Sequence, residues 1–243
     1  MSGPTLHVRG LSRRFGAVVA VEEVSFDLGP GEVVGLIGPN GAGKSTVVNC
    51  LSGVLRPSAG DVRLDDTAIG RWPAHRIVRA GLARTFQHPR GFATMSVEEN
   101  LSVATHTNAA ARGQDSRDGQ IRQAASSAGL LAHLDQPVHA LSLSNRRRLE
   151  IARVLATGAR LVLLDEVMAG LSEQDIEGLI PLIERLVAGG VGVLLVEHLV
   201  WVVSRLSTRL VVLDHGRELA AGEPKAVLND PTVVEAYLGQ AIA

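Results

Sequence analysis

A glycine-rich segment at residues 38–45 constrains the fold of this chain more than any other feature of the sequence. It follows a short apolar run at residues 32–38 that is typical of a strand covered on both faces, and it precedes the helical spacing of Val47, Val48 and Leu51. The segment fits the pattern G-x-x-x-x-G-K-[ST]. The glycines let successive backbone N–H groups face a phosphate, and the helix adds the positive end of its dipole. We therefore predict a phosphate cradle at residues 38–45 within an α/β domain.

Individual side chains of the phosphate cradle receive specific roles. Lys44 is expected to reach the β- and γ-phosphates of a nucleotide, and Ser45 has the hydroxyl expected to coordinate Mg²⁺. The predicted nucleotide contacts of this segment and the next residue are Gly38, Pro39, Asn40, Gly41, Ala42, Gly43, Lys44, Ser45 and Thr46. The alternative is an ordinary glycine-rich turn with a surface lysine, and the flanking strand and helix argue against it.

A second apolar run, residues 161–164, ends in two acids, Asp165 and Glu166. A buried strand delivers such side chains to the carboxyl edge of a sheet, where ligands of open α/β folds bind. Asp165 is predicted to hold Mg²⁺, directly or through its water, and Glu166 to orient or deprotonate the attacking water as general base. Alone, two acids after a strand often mark only the start of a loop. Together with the cradle they predict hydrolysis of a nucleoside triphosphate.

The order of strand and helix patterns predicts the fold class. Residues 1–30 alternate apolar and polar side chains, which favours an antiparallel β layer, and apolar runs recur at residues 191–196 and 210–213 between helical stretches. Residues 88–145 are predicted as an inserted helical lobe, with a capping box at Ser96 and Glu99 and a loop within residues 108–123. Pro231 is expected to begin a last helix that Gly239 ends. We predict one α/β domain over residues 1–243, a P-loop NTPase with a RecA-like parallel sheet.

Composition excludes several function classes. The 24 Lys and Arg against 25 Asp and Glu give a net charge of -1, which argues against electrostatic binding to nucleic acid or an anionic membrane. No apolar run reaches the roughly 20 residues needed to cross a bilayer, and the start lacks the regions of a secretory signal, so we expect a cytoplasmic location. The single cysteine, Cys50, excludes an intrachain disulfide and is expected to be a small buried side chain.

Three further motifs follow in chain order. Gln87 follows the strand-like residues 82–86, Leu-Ser-Leu-Ser-Asn at residues 141–145 precedes a helix, and His198 follows a strand and Glu197. With the cradle and the two acids, this series resembles the nucleotide-binding subunit of an ABC transporter over essentially the whole chain. More narrowly, Ala-Arg-Thr-Phe-Gln-His at 83–88, residues 95–101, Glu197 with His198, and Ala-Tyr-Leu-Gly at 236–239 resemble the branched-chain amino-acid importer group. Within it, Arg-Thr-Phe-Gln matches one ATP-binding subunit better than its sister.

The resemblance implies a head-to-tail dimer in which each ATP lies between one subunit's cradle and the other's signature segment, residues 141–145. Ser142 and Ser144 would contact the partner's nucleotide, and Phe15 would stack on adenine. Gln87 would sense Mg²⁺ and the attacking water, and His198 would contact the γ-phosphate. By themselves, Gln87 and His198 would be ordinary surface or core residues, and Phe15 has core packing of the β layer as its alternative.

The resemblance also implies partners. The cofactors are ATP and Mg²⁺, and the partners are membrane permease subunits, a second ATP-binding subunit and, indirectly, a solute-binding protein. The chain would be peripheral, at the cytoplasmic face of the membrane. Residues 88–100 of the lobe would present a groove to short helices of the membrane subunits. Phe92, Met95 and Val97 are the candidates for that surface and could equally form the lobe core.

The signature segment departs from the family pattern Leu-Ser-x-Gly-Gln. Ser144 stands where glycine is expected and Asn145 where glutamine is expected, and a Cβ at the first position holds a γ-phosphate away from the helix N-terminus. We therefore favour a heterodimer with a sister subunit over a homodimer. The following arginines, Arg146, Arg147 and Arg148, are predicted as a solvated helix face rather than a nucleic-acid patch.

The leading prediction is an ATPase coupled to transmembrane transport that powers the uptake of branched-chain or related amino acids. The altered signature segment motivates one alternative, a regulatory subunit that binds ATP and hydrolyses it poorly. The ATPase of a related urea or amide importer, or of a lipopolysaccharide exporter, is another. Soluble ABC ATPases that act on ribosomes or DNA carry two such domains or a long inserted arm, and neither fits in 243 residues.

Overall fold

A computed structural model describes residues 5–85, 91–107 and 114–238. Among these residues, six strands form a central sheet: β3 (Val33–Ile37), β6 (Leu82–Arg84), β7 (Leu161–Asp165), β8 (Gly192–Val196), β9 (Arg209–Asp214) and β10 (Arg217–Gly222). Their spatial order is β10-β9-β3-β8-β7-β6. All but β10 are parallel, and β10 pairs antiparallel with β9 at one edge. The predicted parallel sheet is confirmed, while β10 was missed because its exposed, polar start lacks an apolar pattern.

The predicted antiparallel layer at the start of the chain is also confirmed. It consists of β1 (Leu6–Phe15), β2 (Val18–Leu28), β4 (Ala59–Leu64) and β5 (Thr67–Ala68), in the order β2-β1-β4-β5. Leu6, Val8 and Leu11 of β1 are buried in the same core as Val47 and Leu51, which lie in the helix after the phosphate cradle. This layer therefore supports the cradle from one side.

The helices of the described residues surround the sheet. They are α1 (Lys44–Leu51), α2 (Ala74–Arg79), α3 (Val97–Thr105), α4 (Gln114–Ala128), α5 (Leu143–Ala156), α6 (Glu173–Ala188), α7 (Val200–Leu206), α8 (Pro224–Leu228) and α9 (Pro231–Leu238). The capping box at the start of α3 is confirmed, since Ser96 and Glu99 exchange backbone-to-side-chain hydrogen bonds of 2.7 and 3.1 Å. Helix α9 begins at Pro231 as predicted, and Gly239 lies outside the described residues. None of the described helices is both long enough and apolar enough to cross a bilayer.

Strand β7 shows how the central sheet separates two cores. Leu161 and Leu163 pack in the core that contains the β layer and α1. Val162 and Leu164 face the opposite core, which α3, α4, α5 and α6 cover. Asp165, the last residue of this fully buried strand, therefore emerges at the carboxyl edge of the sheet, next to the cradle.

Helix α4 covers part of the segment for which the sequence predicts a loop. Residues 114–123 are helical, so that prediction is wrong there, and residues 108–113 lie outside the described residues. Ile121, Ala124, Ala125 and Ala128 are buried along one side of α4, while Gly119 has open space around it. The packed face of α4 consists mostly of alanines. Because alanine contributes little hydropathy, the segment as a whole has a polar composition.

For Val97 the core alternative is confirmed, and the prediction of a solvated arginine face is wrong. Val97 is fully buried in the lobe core at the start of α3, so it is no part of a docking surface; Met95 is half-buried, and Phe92 is 47% exposed. Arg147 is only 5% exposed, because its guanidinium pairs with buried Glu150 at 3.3 Å across one turn of α5. The arginine run is therefore not a solvated face. The buried position predicted for Cys50 is confirmed, and burial raises the pKa of its thiol to about 11.

Candidate nucleotide-binding site

The phosphate cradle joins β3 to α1 by a loop that leaves no room for side chains at two of its glycines. Gly38 has a φ of 149°, and a Cβ there would lie 2.1 Å from the carbonyl oxygen of Leu213 in β9. Gly43 has a φ of 101°, and a Cβ there would lie 2.6 Å from the carbonyl oxygen of Ala20 in β2. Both positions require glycine because the loop backbone packs directly against neighbouring strands. The spacing of the glycines in the sequence follows from this close approach.

Lys44 lies at the centre of this loop. Its side chain is buried, and its Nζ donates hydrogen bonds to the carbonyl oxygens of Gly38 at 2.6 Å and Pro39 at 2.8 Å. Burial lowers the pKa of Lys44, and the nearby carboxylates of Glu166 and Asp165 oppose that shift. The ammonium group is therefore hydrogen-bonded to the loop backbone, and it lies close enough to Asp165 and Glu166 to interact with their carboxylates electrostatically.

Asp165 is fixed in orientation by residues of the neighbouring strand. Its Oδ2 accepts a 2.9 Å hydrogen bond from Nη2 of Arg84, and its backbone N–H donates to Oγ1 of Thr85 at 3.0 Å. Burial raises the pKa of Asp165, while the guanidinium of Arg84 and the ammonium of Lys44 act in the opposite direction. Arg84 also donates to Asn49 of α1 at 2.6 Å, so the carboxylate is tied to the cradle helix. No pattern in the sequence indicates this role for Arg84.

Glu166 and His198 meet at the carboxyl ends of β7 and β8. His198 Nε2 lies 2.8 Å from Glu166 Oε1, and the backbone N–H of Glu166 donates to the carbonyl oxygen of Val196 at 2.9 Å. Both side chains line one cleft together with Ala20 and the cradle residues Asn40, Gly41, Ala42, Gly43, Lys44, Ser45 and Thr46. The structure thus brings a cation, a hydroxyl, a carboxylate and an imidazole to one opening, which is the set needed to hold a phosphate chain and activate water beside it.

Several other predicted residues lie outside this cleft. Phe15 ends β1 with 44% of its surface exposed and the guanidinium of Arg13 stacked 4.5 Å from its ring centre, so it is not part of the β-layer core. Ser142 caps α5 and accepts the backbone N–H of Asn145 at 3.2 Å, and Ser144 is half-buried in the first turn of that helix. Gln87 lies outside the described residues.

The family is decided by comparison with known proteins. The model of the ABC transporter family matches residues 21–169, which include the cradle, the signature segment and both acids. The chain belongs to the ABC transporter family. A second family model, the branched-chain amino acid ATP-binding cassette transporter, matches residues 217–243.

Similar proteins extend over the full chain. The high-affinity branched-chain amino acid transport ATP-binding protein LivG of Escherichia coli (strain K12) is 40% identical, covering 99% of this chain and 100% of that protein. The corresponding protein BraF of Pseudomonas aeruginosa is 41% identical with the same coverage. A crystal structure of the ADP conformation of an ATP-binding cassette of an ABC transporter superposes with a TM-score of 0.87 at 28% identity, covering 97% of this chain and 99% of that one.

Family membership fixes the general activity of this ABC transporter subunit. Cassettes of this family bind nucleotide and hydrolyse ATP to drive transport, and those of importers work with membrane permease components. The α/β P-loop NTPase fold predicted from the sequence is confirmed. The chain is therefore an ATP-hydrolysing transport subunit.

Proposed function

We propose that this subunit hydrolyses ATP to power the uptake of branched-chain or related amino acids, from the cytoplasmic face of the membrane. One observation carries the hydrolytic part of the proposal: buried Lys44 shares a single cleft with the contacting pair Glu166 and His198. The substrate class is supported by the family match at residues 217–243 and by full-length similarity to proteins named for branched-chain amino acid transport.

The cleft suits a nucleotide with its metal ion. Mg²⁺ prefers oxygen ligands and keeps several waters, so it needs few protein groups. The hydroxyl of Ser45 in the cleft, the carboxylate of Asp165 and the amide oxygen of Gln87 are oxygen donors of the right kind. Asp165 does not line the cleft itself but lies within electrostatic reach of Lys44. The described residues contain no cluster of three or more His, Cys, Asp or Glu side chains that could hold a metal alone. When bound, Mg²⁺ neutralises charge on the phosphates. Lys44 and the backbone N–H groups of residues 40–46 hold the phosphate oxygens.

Glu166 is the base of the proposed reaction. Its carboxylate orients the attacking water and accepts its proton, while His198 fixes the carboxylate through the 2.8 Å contact and approaches the γ-phosphate. Phe15, exposed at the end of β1, offers its ring to the adenine. Catalysis here consists of positioning and charge stabilisation, as is general for phosphoryl transfer.

The proposed working unit is a dimer in which the signature segment acts on the partner's nucleotide. Ser142 and Ser144 lie at the N-terminus of α5 and outside the cleft of their own chain, which suits an anion supplied by another subunit. Because Ser144 carries a Cβ where the family has glycine, two copies of this chain would form two weakened sites. A heterodimer with a sister subunit that has an intact signature leaves this chain's own cradle fully active.

Ser144→Gly tests the dimer proposal. In a homodimeric preparation, we expect this change to raise the ATPase rate about threefold to tenfold, since helix-terminus interactions with an anion are worth about 0.3–2 kcal/mol. Steady-state phosphate release measures the effect, and Ser116→Gly in α4 serves as the matched control. An unchanged rate in the Ser144→Gly protein contradicts the heterodimer argument.

The proposed contact with the membrane permease subunits is an apolar groove lined mainly by α2, β6 and α5, to which the helical lobe, taken as residues 88–145, contributes Thr107. Its apolar lining includes Val54, Val78, Leu82, Ala83 and Val154. Phe92, exposed on the lobe, lies with its ring 5.9 Å from the guanidinium of a groove residue, Arg153. A short cytoplasmic helix of a permease subunit fits such a groove, and rotation of the lobe on nucleotide closure would move it.

Reconstitution tests the whole proposal. The subunit is assembled with its permease subunits, its sister ATPase and the solute-binding protein in liposomes, and ATP-driven accumulation of leucine, isoleucine and valine is measured. We expect accumulation that requires ATP and stops with Glu166→Gln. Accumulation of urea or amides, or extraction of lipopolysaccharide, would identify a related transporter instead. Normal transport that is unaffected by Glu166→Gln would favour the regulatory alternative, which the altered residues Ser144 and Asn145 motivate.

A further inference from the structure

Glu197 is a buried carboxyl group that directly follows β8 and has no role in the chemistry proposed above. It is 3% exposed, and its Oε1 accepts the backbone N–H of Met168 at 2.9 Å. Glu197 also directly precedes His198 in the chain. Its side chain therefore connects the turn that follows Glu166 to the turn that carries His198.

The first of these turns needs such a connection. Residues 166–171, here called the post-acid loop, begin with Glu166 at a φ of 50°, a left-handed conformation that is strained for a residue with a side chain. Strained backbone persists only where surrounding contacts fix it. Glu197 holds the loop at Met168, and Nη2 of Arg147 in α5 donates to the carbonyl oxygen of Ala169 at 3.1 Å. The loop is thus held at two successive residues by side chains from two other segments of the chain.

The distance between Glu166 and His198 depends on this arrangement. Their side chains come from different strands and approach within 2.8 Å, so a relative shift of the two turns by about 1 Å separates the carboxylate from the imidazole. We propose that Glu197 is a positioning residue for ATP hydrolysis: from the turn that carries His198 it binds the post-acid loop, and it thereby fixes the Glu166 carboxylate relative to His198 and the cradle. The inference rests on the proposed role of Glu166 as base.

The hydrogen-bonding chemistry of Glu197 predicts which substitution preserves its role. Burial and the neighbouring Glu166 raise the pKa of Glu197 to about 7, while the backbone N–H of Met168 and Arg147 act in the opposite direction. A carboxylate and a neutral carboxylic acid both present an oxygen that accepts a backbone N–H, and so does the side-chain amide of glutamine. The positioning role therefore needs an acceptor of this length, not a negative charge.

Substitutions at residue 197 test the inference in the assembled transporter. We expect Glu197→Leu to lower kcat for ATP hydrolysis about 10- to 100-fold while KM and the Kd for ATP stay within about twofold. Glu197→Gln should retain kcat within about threefold, and Glu184→Leu, which replaces an exposed glutamate of α6, is the matched control. Wild-type turnover in Glu197→Leu, or equal losses in the Gln and Leu proteins, would overturn the inference.

Two further variants keep the test decisive. Glu197→Asp covers the case in which the leucine variant does not fold, because it keeps the charge and withdraws the acceptor by one methylene, and we expect the same selective loss of kcat. In a Glu166→Gln background, Glu197→Leu should cause no further loss, since the base on which it acts is absent. A further tenfold loss there contradicts action through Glu166.

Hydrogen exchange separates this inference from the proposed function. The backbone amide of Met168 should exchange about tenfold faster or more in Glu197→Leu than in the wild type, and at the wild-type rate in Glu197→Gln. If Glu166→Gln retains full turnover, the proposed base is wrong whatever the exchange result. If Glu166→Gln is inactive and Met168 exchanges at the same rate in all residue-197 variants, the positioning role of Glu197 is wrong.

Discussion

Glu166→Gln is expected to slow ATP hydrolysis about 10²- to 10⁴-fold, the range for loss of a positioned general base. Glutamine has the same shape and keeps an oxygen acceptor for His198, which lies 2.8 Å from Glu166 Oε1. It cannot accept the proton of the attacking water. Because Lys44 and the phosphate cradle are unchanged, the affinity for ATP should stay within about twofold of wild type.

Single-turnover kinetics on the assembled transporter measure the effect on the chemical step, and binding of a fluorescent ATP analogue measures affinity. Glu184→Gln makes the same chemical change at an exposed position on α6 and should behave as wild type. Turnover within threefold of wild type in Glu166→Gln would remove this residue from the catalytic step. An equal loss of binding and turnover would indicate a disturbed cradle instead.

The central part of the site could be predicted because its residues are contiguous in the sequence. The strand, the glycines and the helix start all lie within residues 32–51, and Asp165 and Glu166 directly follow an apolar run. Parallel strands bring their carboxyl ends to one edge of the sheet, so the two segments had to meet. To apply this rule it is enough to know the order of strands and helices along the chain, which the apolar patterns in the sequence indicate.

The contacts that orient these residues could not be predicted, since they join distant positions. Arg84 pairs with Asp165 across 81 positions of the sequence, and Glu197 binds Met168 across 29. Arg84, Asp165 and Glu197 each lie at or directly after the end of a strand of the central sheet. Which strands are neighbours, and therefore which of these side chains meet, is known only from the order of strands in the sheet. The buried state of Arg147 has the same origin in part, because one of its partners, the carbonyl oxygen of Ala169, lies in the post-acid loop 22 positions away.

The error in α4 has a different cause. Ile121, Ala124, Ala125 and Ala128 are spaced as one face of a helix, and all four are buried. The pattern was present in the sequence, but three of its four residues are alanine and the surrounding residues are polar. The prediction of a loop gave more weight to the polar composition of the segment than to the helical spacing of its apolar residues. A helix that packs through alanines needs the spacing rather than the overall hydropathy as its signal.

Replacement of the cradle lysine should have the largest effect on nucleotide affinity. In the structure, Nζ of Lys44 donates to the carbonyl oxygens of Gly38 and Pro39. When a nucleotide binds, we expect Lys44 to exchange these neutral acceptors for phosphate oxygens. Hydrogen bonds to charged groups contribute about 1.5–3 kcal/mol each, and part of that is lost with the carbonyl contacts. A net loss of about 3 kcal/mol in Lys44→Met corresponds to about 100-fold weaker ATP binding.

Methionine suits this experiment because it fills the space of the buried lysine stem and removes only the ammonium group. The sequence has just one other lysine, Lys225, which is exposed in α8, so Lys225→Met is a control for the loss of one positive charge. Titration calorimetry with ATP and Mg²⁺ should give a wild-type Kd for Lys225→Met. A Kd for Lys44→Met within threefold of wild type would mean that the backbone N–H groups of the cradle bind the phosphates without the lysine. That result would contradict the role of Lys44 as the phosphate-binding cation of the cleft.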